Sequence, residues 1–161
     1  DRMDYIMMWT MGSFSTAGWN KIAILLPFLV AGLTLILMHA RHLNVISTGE
    51  ETAKSLGIEV EKVKKTLLIV CSVVTAACVA TGGIIGFVGL IIPHVLRLMV
   101  GADQKNLMPF SIVGGAAFLL ICDTLARIVA PPAEIPVGAI TAVFGSPFFI
   151  ALLIRGKRSV M

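Results

Sequence analysis

The charged stretch LNVISTGEETAKSLGIEVEKVKK, residues 43–65, interrupts a chain that is otherwise strongly apolar. Of the 161 residues, 57% are hydrophobic and only 14% are charged, and the mean hydropathy is +0.95. A soluble domain is about half apolar and about a quarter charged. Because so apolar a chain has too few polar groups to cover its surface, the composition predicts an all-α, polytopic bundle of transmembrane helices.

The basic residues do not indicate a nucleic-acid-binding protein, although the net charge is +4. They lie at the ends of apolar runs and not along one face, which is typical of membrane topology signals. The cysteines Cys71, Cys78 and Cys122 all lie within apolar runs. Their spacing matches no metal site and no disulfide framework, so we interpret them as small core residues.

Three apolar runs, 22–38, 107–129 and 137–154, have about the length that a helix needs to cross a bilayer. Basic residues cluster in the charged stretch and at the C-terminus, and the positive-inside rule places both clusters in the cytoplasm. Both ends of segment 66–154 then lie on the same side of the membrane. The segment must therefore cross an even number of times, which requires two further crossings before residue 107.

Residues 66–96 contain no Lys, Arg, Asp or Glu. As one helix they would be about 46 Å long, too long for a hydrocarbon core of about 30 Å. We therefore predict two short crossings within 66–100, with a break near Gly82 and Gly83, where glycine permits a tight turn. Pro93 is expected to distort the second of them. The chain then contains about five crossings.

The connecting segments follow from this topology. Loop 101–106 is predicted to be cytoplasmic and loop 130–136 to be external. The opening segment, 5–14, is too short to cross, and we expect it to lie outside, as the end of a sixth span or as a helix on the outer face. Because the sequence begins in mid-pattern and without Met, we expect a fragment of a longer membrane protein.

The charged stretch contains a predicted short helix, STGEETAKSLG, residues 47–57. Ser47 or Thr48 can cap its N-terminus, with an acidic residue three positions later completing a capping box, and Gly57 can end it. A helix of about eight residues is marginal alone in water, so we expect it to be docked on something. The residues themselves leave two alternatives open, a solvated hairpin between spans and a docking surface.

GEETAKSLGI, residues 49–58, resembles the cytoplasmic coupling loop of type II ABC importer permeases, which import iron(III)-siderophores, haem, cobalamin and, in some members, molybdate. The remaining pieces agree in order. They are MMWTMGSFSTAGW at 7–19, GGIIGFVGLIIPHVLRLMVG at 82–101, LLICDTLAR at 119–127 and EIPVGAITAVFGSPFFIALL at 134–153. The resemblance implies a permease of about ten spans that pairs as a dimer. Residues 1–161 would be one transmembrane domain, its C-terminal half, and residues 43–65 its cytoplasmic coupling loop.

The resemblance also implies partners and contact residues. The coupling loop would sit in a cleft of a separate ATPase subunit, present in two copies, which would carry the ATP and magnesium. The implied contact residues are Gly49, Glu50, Glu51, Ala53, Lys54, Leu56 and Gly57. No cofactor or metal is expected on this chain itself.

At the external end of its span, Arg127 matches an arginine that, in this family, pairs with a glutamate of an extracellular or periplasmic substrate-binding protein. Asp123 lies four residues earlier, so a local i,i+4 ion pair is the alternative, and the two are compatible. Glu134 in the external loop is a weaker candidate, because an exposed loop charge is usually solvated.

Four glycines, Gly82, Gly83, Gly86 and Gly89, are expected to allow close helix packing and to line part of the pathway. Pro93, His94 and Arg97 match the family's PHxxR, and we expect structural roles or contact with the coupling loop. His39 and His42 have a spacing that suits a metal, but no carboxylate or cysteine is near them in sequence. We therefore expect no metal site.

An enzyme is disfavoured because the sequence contains no HExxH, no GxSxG and no paired carboxylates. We predict a permease subunit of an ATP-driven importer of iron(III)-siderophores, in a bacterial or archaeal plasma membrane, with a cytoplasmic C-terminus. Cobalamin, haem and molybdate import are alternatives within the same fold. A secondary transporter or channel is the alternative from another class. Beyond the ATPase and the binding protein, the expected partners are a second permease copy and the lipid bilayer, with no nucleic acid.

Overall fold

The computed structural model describes residues 2–129, 131, 133 and 135–158, with side chains as far as residue 156. These residues form eight α-helices and, within that part of the chain, no strand. The helices are α1 (Arg2–Thr10), α2 (Trp19–Met38), α3 (Ala40–Thr48), α4 (Glu50–Ser55), α5 (Val60–Gly82), α6 (Val88–Val100), α7 (Gln104–Val129) and α8 (Val137–Arg158). The predicted all-α bundle is confirmed.

Four of the helices, α2, α5, α7 and α8, are long and apolar enough to cross a membrane. The predicted break is also found, since α5 ends at Gly82 and α6 begins only at Val88. We expected both flanking helices to be short, and this is wrong for α5. Residues 60–65 are its first turns and extend it to 23 residues. With 13 residues, α6 is about 20 Å long, well short of a hydrocarbon core.

The helices pack in two groups. The first joins α2 to α5, where Gly32 lies so close to α5 that an added Cβ would be 2.1 Å from Cγ2 of Val74. In the second, α6 packs against both α7 and α8. Its small buried core contains Cys122 and Ala126. The interpretation of all cysteines as core residues holds for Cys122 alone, because Cys71 and Cys78 are exposed on α5.

The break between α5 and α6 is held by two other segments. The backbone N–H of Ser13 donates to the carbonyl of Gly82 at 3.1 Å, and the N–H of Gly138 donates to the carbonyl of Gly12 at 3.3 Å. At Gly83, φ is +78°, and an added Cβ would lie 2.0 Å from the carbonyl oxygen of Trp9. Glycine is therefore required at this position by both its backbone conformation and the space available.

Phe87 ends the break in a strained conformation. Its φ of 67° makes it the one non-glycine residue with positive φ in the described part of the chain. A left-handed backbone is costly for a bulky residue and persists only where the surroundings impose it. The ring of Phe87 lies over Gly145 of α8, where an added Cβ would be 2.2 Å from Cγ of Phe87. This contact fixes the start of α6 against α8.

We predict that Gly145→Ala destabilises the full-length protein in detergent by about 1–3 kcal/mol, because the new methyl group overlaps the Phe87 ring. Thermal unfolding, followed by circular dichroism, measures the effect. The matched control is Gly115→Ala in α7, where the nearest atom, Cγ1 of Val88, is 4.0 Å from the new Cβ. Equal melting temperatures for the two variants would contradict the importance of this contact.

Candidate functional site

The helix predicted over 47–57 is shorter in the structure and begins differently. Ser47 and Thr48 belong to the last turn of α3, where their hydroxyls donate to the carbonyls of Asn44 and Val45, each at 2.7 Å. Neither side chain caps α4, so the predicted capping box is wrong. The physical reason is that α3 continues to Thr48, and Gly49, with φ of +140°, makes the corner and precedes α4 directly.

The C-terminus of α4 matches the prediction that Gly57 ends the helix. The N–H of Gly57 donates to the carbonyl of Lys54, and the N–H of Ile58 donates to the carbonyl of Ala53, both at 3.0 Å. With φ of +82° at Gly57, these two bonds form a Schellman motif. Both ends of this six-residue helix are thus set by a glycine in a positive-φ conformation.

An ion pair between Glu50 and Lys64 holds α4 against the first turns of α5. The hydrogen bond from Lys64, followed by its positive charge, lowers the pKa of the Glu50 carboxyl. Because this folded-state pKa is depressed, the contribution of the pair is fully present above the ordinary pKa of a glutamate. It is lost as the pH falls through the lowered value.

The surface of α4 presents most of the residues that the resemblance assigns to a partner. Glu51 and Lys54 are exposed, and Leu56 has 66% of its surface accessible. Ala53 differs, because it is fully buried at 0% and supports α4 from beneath. In this structure, Ala53 is therefore a packing residue and not part of the exposed surface.

A polar link that the sequence did not reveal joins α3 to the start of α7. The Asn44 amide donates to Oδ1 of Asp103 at 2.7 Å, and its Oδ1 accepts from the N–H of Gln104 at 2.8 Å. The same Asp103 oxygen accepts from the N–H of Lys105 at 3.0 Å and so caps α7. The bond from Asn44, and then that from Lys105, lower the pKa of Asp103. Asp103 before an apolar run is a capping signal, but nothing in the sequence points to Asn44.

At the other end of α7, Nε of Arg127 lies 2.9 Å from Oδ2 of Asp123. The predicted i,i+4 ion pair is thus confirmed. The Arg127 side chain remains 59% exposed, and both residues line a groove together with Ser13, Ser15 and Ile135. Glu134, the other candidate at this end, lies outside the described residues.

The predicted glycine positions divide into two kinds. Gly82 and Gly83 are in tight contact, since an added Cβ at Gly82 would be 3.0 Å from the Phe14 ring. At Gly86 and Gly89, an added Cβ would meet nothing within 4 Å. Packing within this chain therefore requires glycine at Gly83, favours a small residue at Gly82, and does not explain glycine at the other two positions.

The PHxxR residues lie on α6. Pro93 is inside the helix, His94 packs edge-on against Phe148 of α8 with ring centroids 5.6 Å apart, and Arg97 is exposed in the last turn. His39 and His42 also have ring centroids 5.6 Å apart. In the described part of the chain, no three His, Cys, Asp or Glu side chains are placed to share a metal ion.

Comparison with known proteins gives consistent matches. Residues 1–155 match the model of the FecCD transport family. The cobalamin import system permease protein BtuC of Halobacterium salinarum is 49% identical over 91% of this chain and 39% of its own length. The hemin transport system permease protein HmuU of Yersinia pestis is 40% identical over 93% of this chain and 45% of its own length.

A solved structure, described as an inward-facing conformation of a putative metal-chelate type ABC transporter, superposes with a TM-score of 0.88 at 34% identity. The match covers 96% of this chain and 50% of the solved one. This chain thus spans half or less of the length of each protein named here. Together with the four long apolar helices, these matches identify a multi-pass membrane protein. Because the family model covers nearly the whole sequence, the chain belongs to the FecCD transport family.

Proposed function

We propose that this chain forms part of the permease subunit of a type II ABC importer. A dimer of such subunits would enclose a pathway and import a metal chelate by alternating access, driven by ATP and magnesium on two copies of a separate ATPase. The observation that carries the proposal is α4, a six-residue helix whose two ends and underside are fixed within the chain. Its outer surface, with Leu56 at its end, stays exposed.

The physical argument concerns the cost of docking. A partner that bound a flexible loop would have to order it, and that ordering opposes association. In this chain the two glycine corners, the buried Ala53 and the Glu50–Lys64 pair already hold α4 in shape. An exposed leucine at the end of such a preorganised helix is suited to act as an anchor in a pocket of the ATPase.

The topology that goes with this function places α3 and α4 in the cytoplasm of a bacterial or archaeal cell. The C-terminus of α8 would lie on the same side, as the basic residues at 155–158 favour. The groove at the outer end of α7 would face the extracellular or periplasmic substrate-binding protein. There, Arg127, half exposed and oriented by Asp123, would meet an acidic side chain of that protein.

For the cargo we propose an iron(III)-siderophore. Supporting it, the iron(3+)-hydroxamate import system permease protein FhuG of Bacillus subtilis is 43% identical over 93% of this chain. Cobalamin is the second candidate, because of the 49% identity to the haloarchaeal cobalamin permease. An uptake experiment tests both cargoes. It uses cells that express the full-length permease with its companion subunits, and it measures uptake of 55Fe-labelled hydroxamate siderophores and of 57Co-labelled cobalamin.

We expect the siderophore label to accumulate in these cells and the cobalamin label not to accumulate. The control is a strain in which the ATPase subunit carries an inactivating substitution. Any label that enters this strain does so by passive leakage and not by ATP-driven import. Accumulation of cobalamin alone would overturn the cargo proposal while leaving the importer class intact.

A cysteine at Leu56 should cross-link to the co-expressed ATPase subunit, in a full-length permease whose native cysteines are replaced. A cysteine at Ala53 should not, because this position is buried at 0% whereas Leu56 is 66% exposed. The measurement is a shift in mobility on a gel after treatment with a short bifunctional reagent. Equal cross-linking at both positions would mean that the loop rearranges on binding.

Leu56→Arg should lower ATP hydrolysis by the assembled complex about 30-fold, as expected for loss of an interface anchor worth about 2 kcal/mol. The control is Lys62→Ala, a change at a side chain that is 77% exposed but outside the proposed contact surface. If no cross-link forms and Leu56→Arg still transports, the loop is a solvated hairpin. A secondary transporter or channel would then be the better explanation.

At the outer end, the double change Asp123→Asn with Arg127→Gln removes both charges without leaving either one unpaired. We expect it to weaken the substrate-binding protein about tenfold or more, because a partner carboxylate loses its cation. Asp123→Asn alone keeps the arginine and should bind nearly as well as the parent. Binding to complexes in nanodiscs, measured by biolayer interferometry, gives both values. Unchanged binding in the double variant would reduce the pair to a local structural role.

A further inference from the structure

The link between Asn44 and Asp103 joins parts of the chain that are 59 residues apart. We use the name clasp for the side chains of Asn44 and Asp103 together with the backbone N–H groups of Gln104 and Lys105. These two N–H groups donate hydrogen bonds to Asn44 and Asp103, respectively. Asn44 uses both ends of its amide, donating to Asp103 and accepting from Gln104. Such a two-ended contact fixes the position of α3 relative to the first turn of α7 in both distance and direction.

The clasp lies about one helical turn before α4. Asn44 lies in the last turns of α3, and the hydroxyl of Ser47 bonds to its carbonyl at 2.7 Å. After Thr48, the single corner residue Gly49 leads directly into α4. A displacement of α4 therefore reaches Asn44 through about one helical turn and one corner.

On its other side, the clasp holds the N-terminus of a long helix. With 26 residues, α7 extends about 39 Å and carries Asp123 and Arg127 near its far end. Its middle is packed against α6, where Gly114 lies against Leu96 and Ile92. Pro109 lies inside α7 between the clasp and this contact, so α7 is held on both sides of the proline, and a shift at Asp103 is expected at the outer groove as well.

We propose that Asn44 and Asp103 are positioning residues that transmit movement of α4 to α7, and through α7 to the outer groove. The inference rests on the proposed function, because it takes α4 as the part that an ATPase moves. It adds a specific route, in which the clasp couples the two ends of the molecule. Breaking the clasp should uncouple the outer groove from ATP while α4 still follows the ATPase.

The chemistry of the clasp permits a test by charge exchange. Asn44→Asp places two carboxylates against each other, so the link is lost and replaced by repulsion. Adding Asp103→Asn to that variant restores an amide opposite a carboxylate with the roles reversed. The carboxylate at position 44 can then accept from the N–H of Gln104 and from the amide at position 103. Because the amide nitrogen takes the place of the oxygen that accepted from Lys105, that capping bond is given up, but both bonds that join α3 to α7 can form again. Asp103→Asn alone keeps an amide oxygen that can accept from both Asn44 and the N–H of Lys105, so this variant serves as the matched control.

The experiment uses the full-length permease assembled with its ATPase in nanodiscs, with the native cysteines replaced and spin labels attached in pairs. The inner pair, at Lys62 and Leu98, reports the coupling end, and the outer pair, at Trp19 and Val129, reports the outer end. All four side chains are exposed and none belongs to the clasp. Distances are measured by pulsed electron resonance without nucleotide and after trapping with ATP and vanadate.

We expect both pairs to respond to trapping in the parent protein, in Asp103→Asn and in the charge-exchanged double variant. In Asn44→Asp, the inner response should persist while the outer response falls about fivefold or more, as expected for loss of a typical coupling free energy. Ser47→Ala, which removes only a bond within α3, should behave as the parent does.

Two results would overturn the inference. An outer response in Asn44→Asp equal to that of the parent would show that the clasp transmits nothing. Loss of both responses together with assembly, not restored by the charge exchange, would make the clasp a merely structural contact. If the parent protein responds at neither pair and Leu56→Cys forms no cross-link, the proposed function itself fails, and the clasp inference falls with it. A failed clasp in a complex that cross-links at Leu56 leaves the proposed function standing.

Discussion

The break between α5 and α6 is the constraint on which the rest of the bundle depends. Backbone groups buried away from water must be bonded within the protein, so a membrane helix can stop early only where other segments supply partners. Here Ser13 donates to the carbonyl of Gly82, and the connection around Gly12 also accepts from the start of α8. Three distant stretches of sequence are thereby brought to one place, and α6 can be a short helix packed between α7 and α8.

The fold could be predicted from sequence to the extent that it depends on length and charge. The uncharged run over 66–96 was too long for one crossing, and Gly82 and Gly83 marked where it divides. The start of α5 was predicted wrongly, because the charged residues at 60–65 were assigned to the coupling loop and not to the membrane helix. In the structure, the charged residues are simply the first turns of the same helix, with Lys64 paired to Glu50. Helix boundaries of this kind are set by tertiary pairing, which a local pattern does not contain.

The candidate sites show the same division between local and distant information. The pair of Asp123 and Arg127 was predictable, because i,i+4 spacing brings two side chains together on any helix. The capping box within 47–51 was equally local and nevertheless wrong, since α3 extends through Thr48 and takes up the hydroxyls that would have capped α4. Burial of Ala53 and the clasp at Asn44 depend on contacts between separate helices, and one sequence without an alignment carries no signal for them.

The two ends of α7 illustrate how charged groups can be placed in a membrane helix with bonding partners in the same chain. Its middle is apolar and small, with Gly114 and Gly115 facing α6, while Asp103 lies just before one end and Asp123 with Arg127 near the other. Asp103, Asp123 and Arg127 are each bonded within the chain, which lowers the cost of placing charges in a membrane helix. Because these charged contacts lie at the ends and the close packing against α6 lies in the middle, a displacement of α7 would alter both ends together. That arrangement would suit a helix that links two surfaces, and it follows from where the bilayer allows charges to lie.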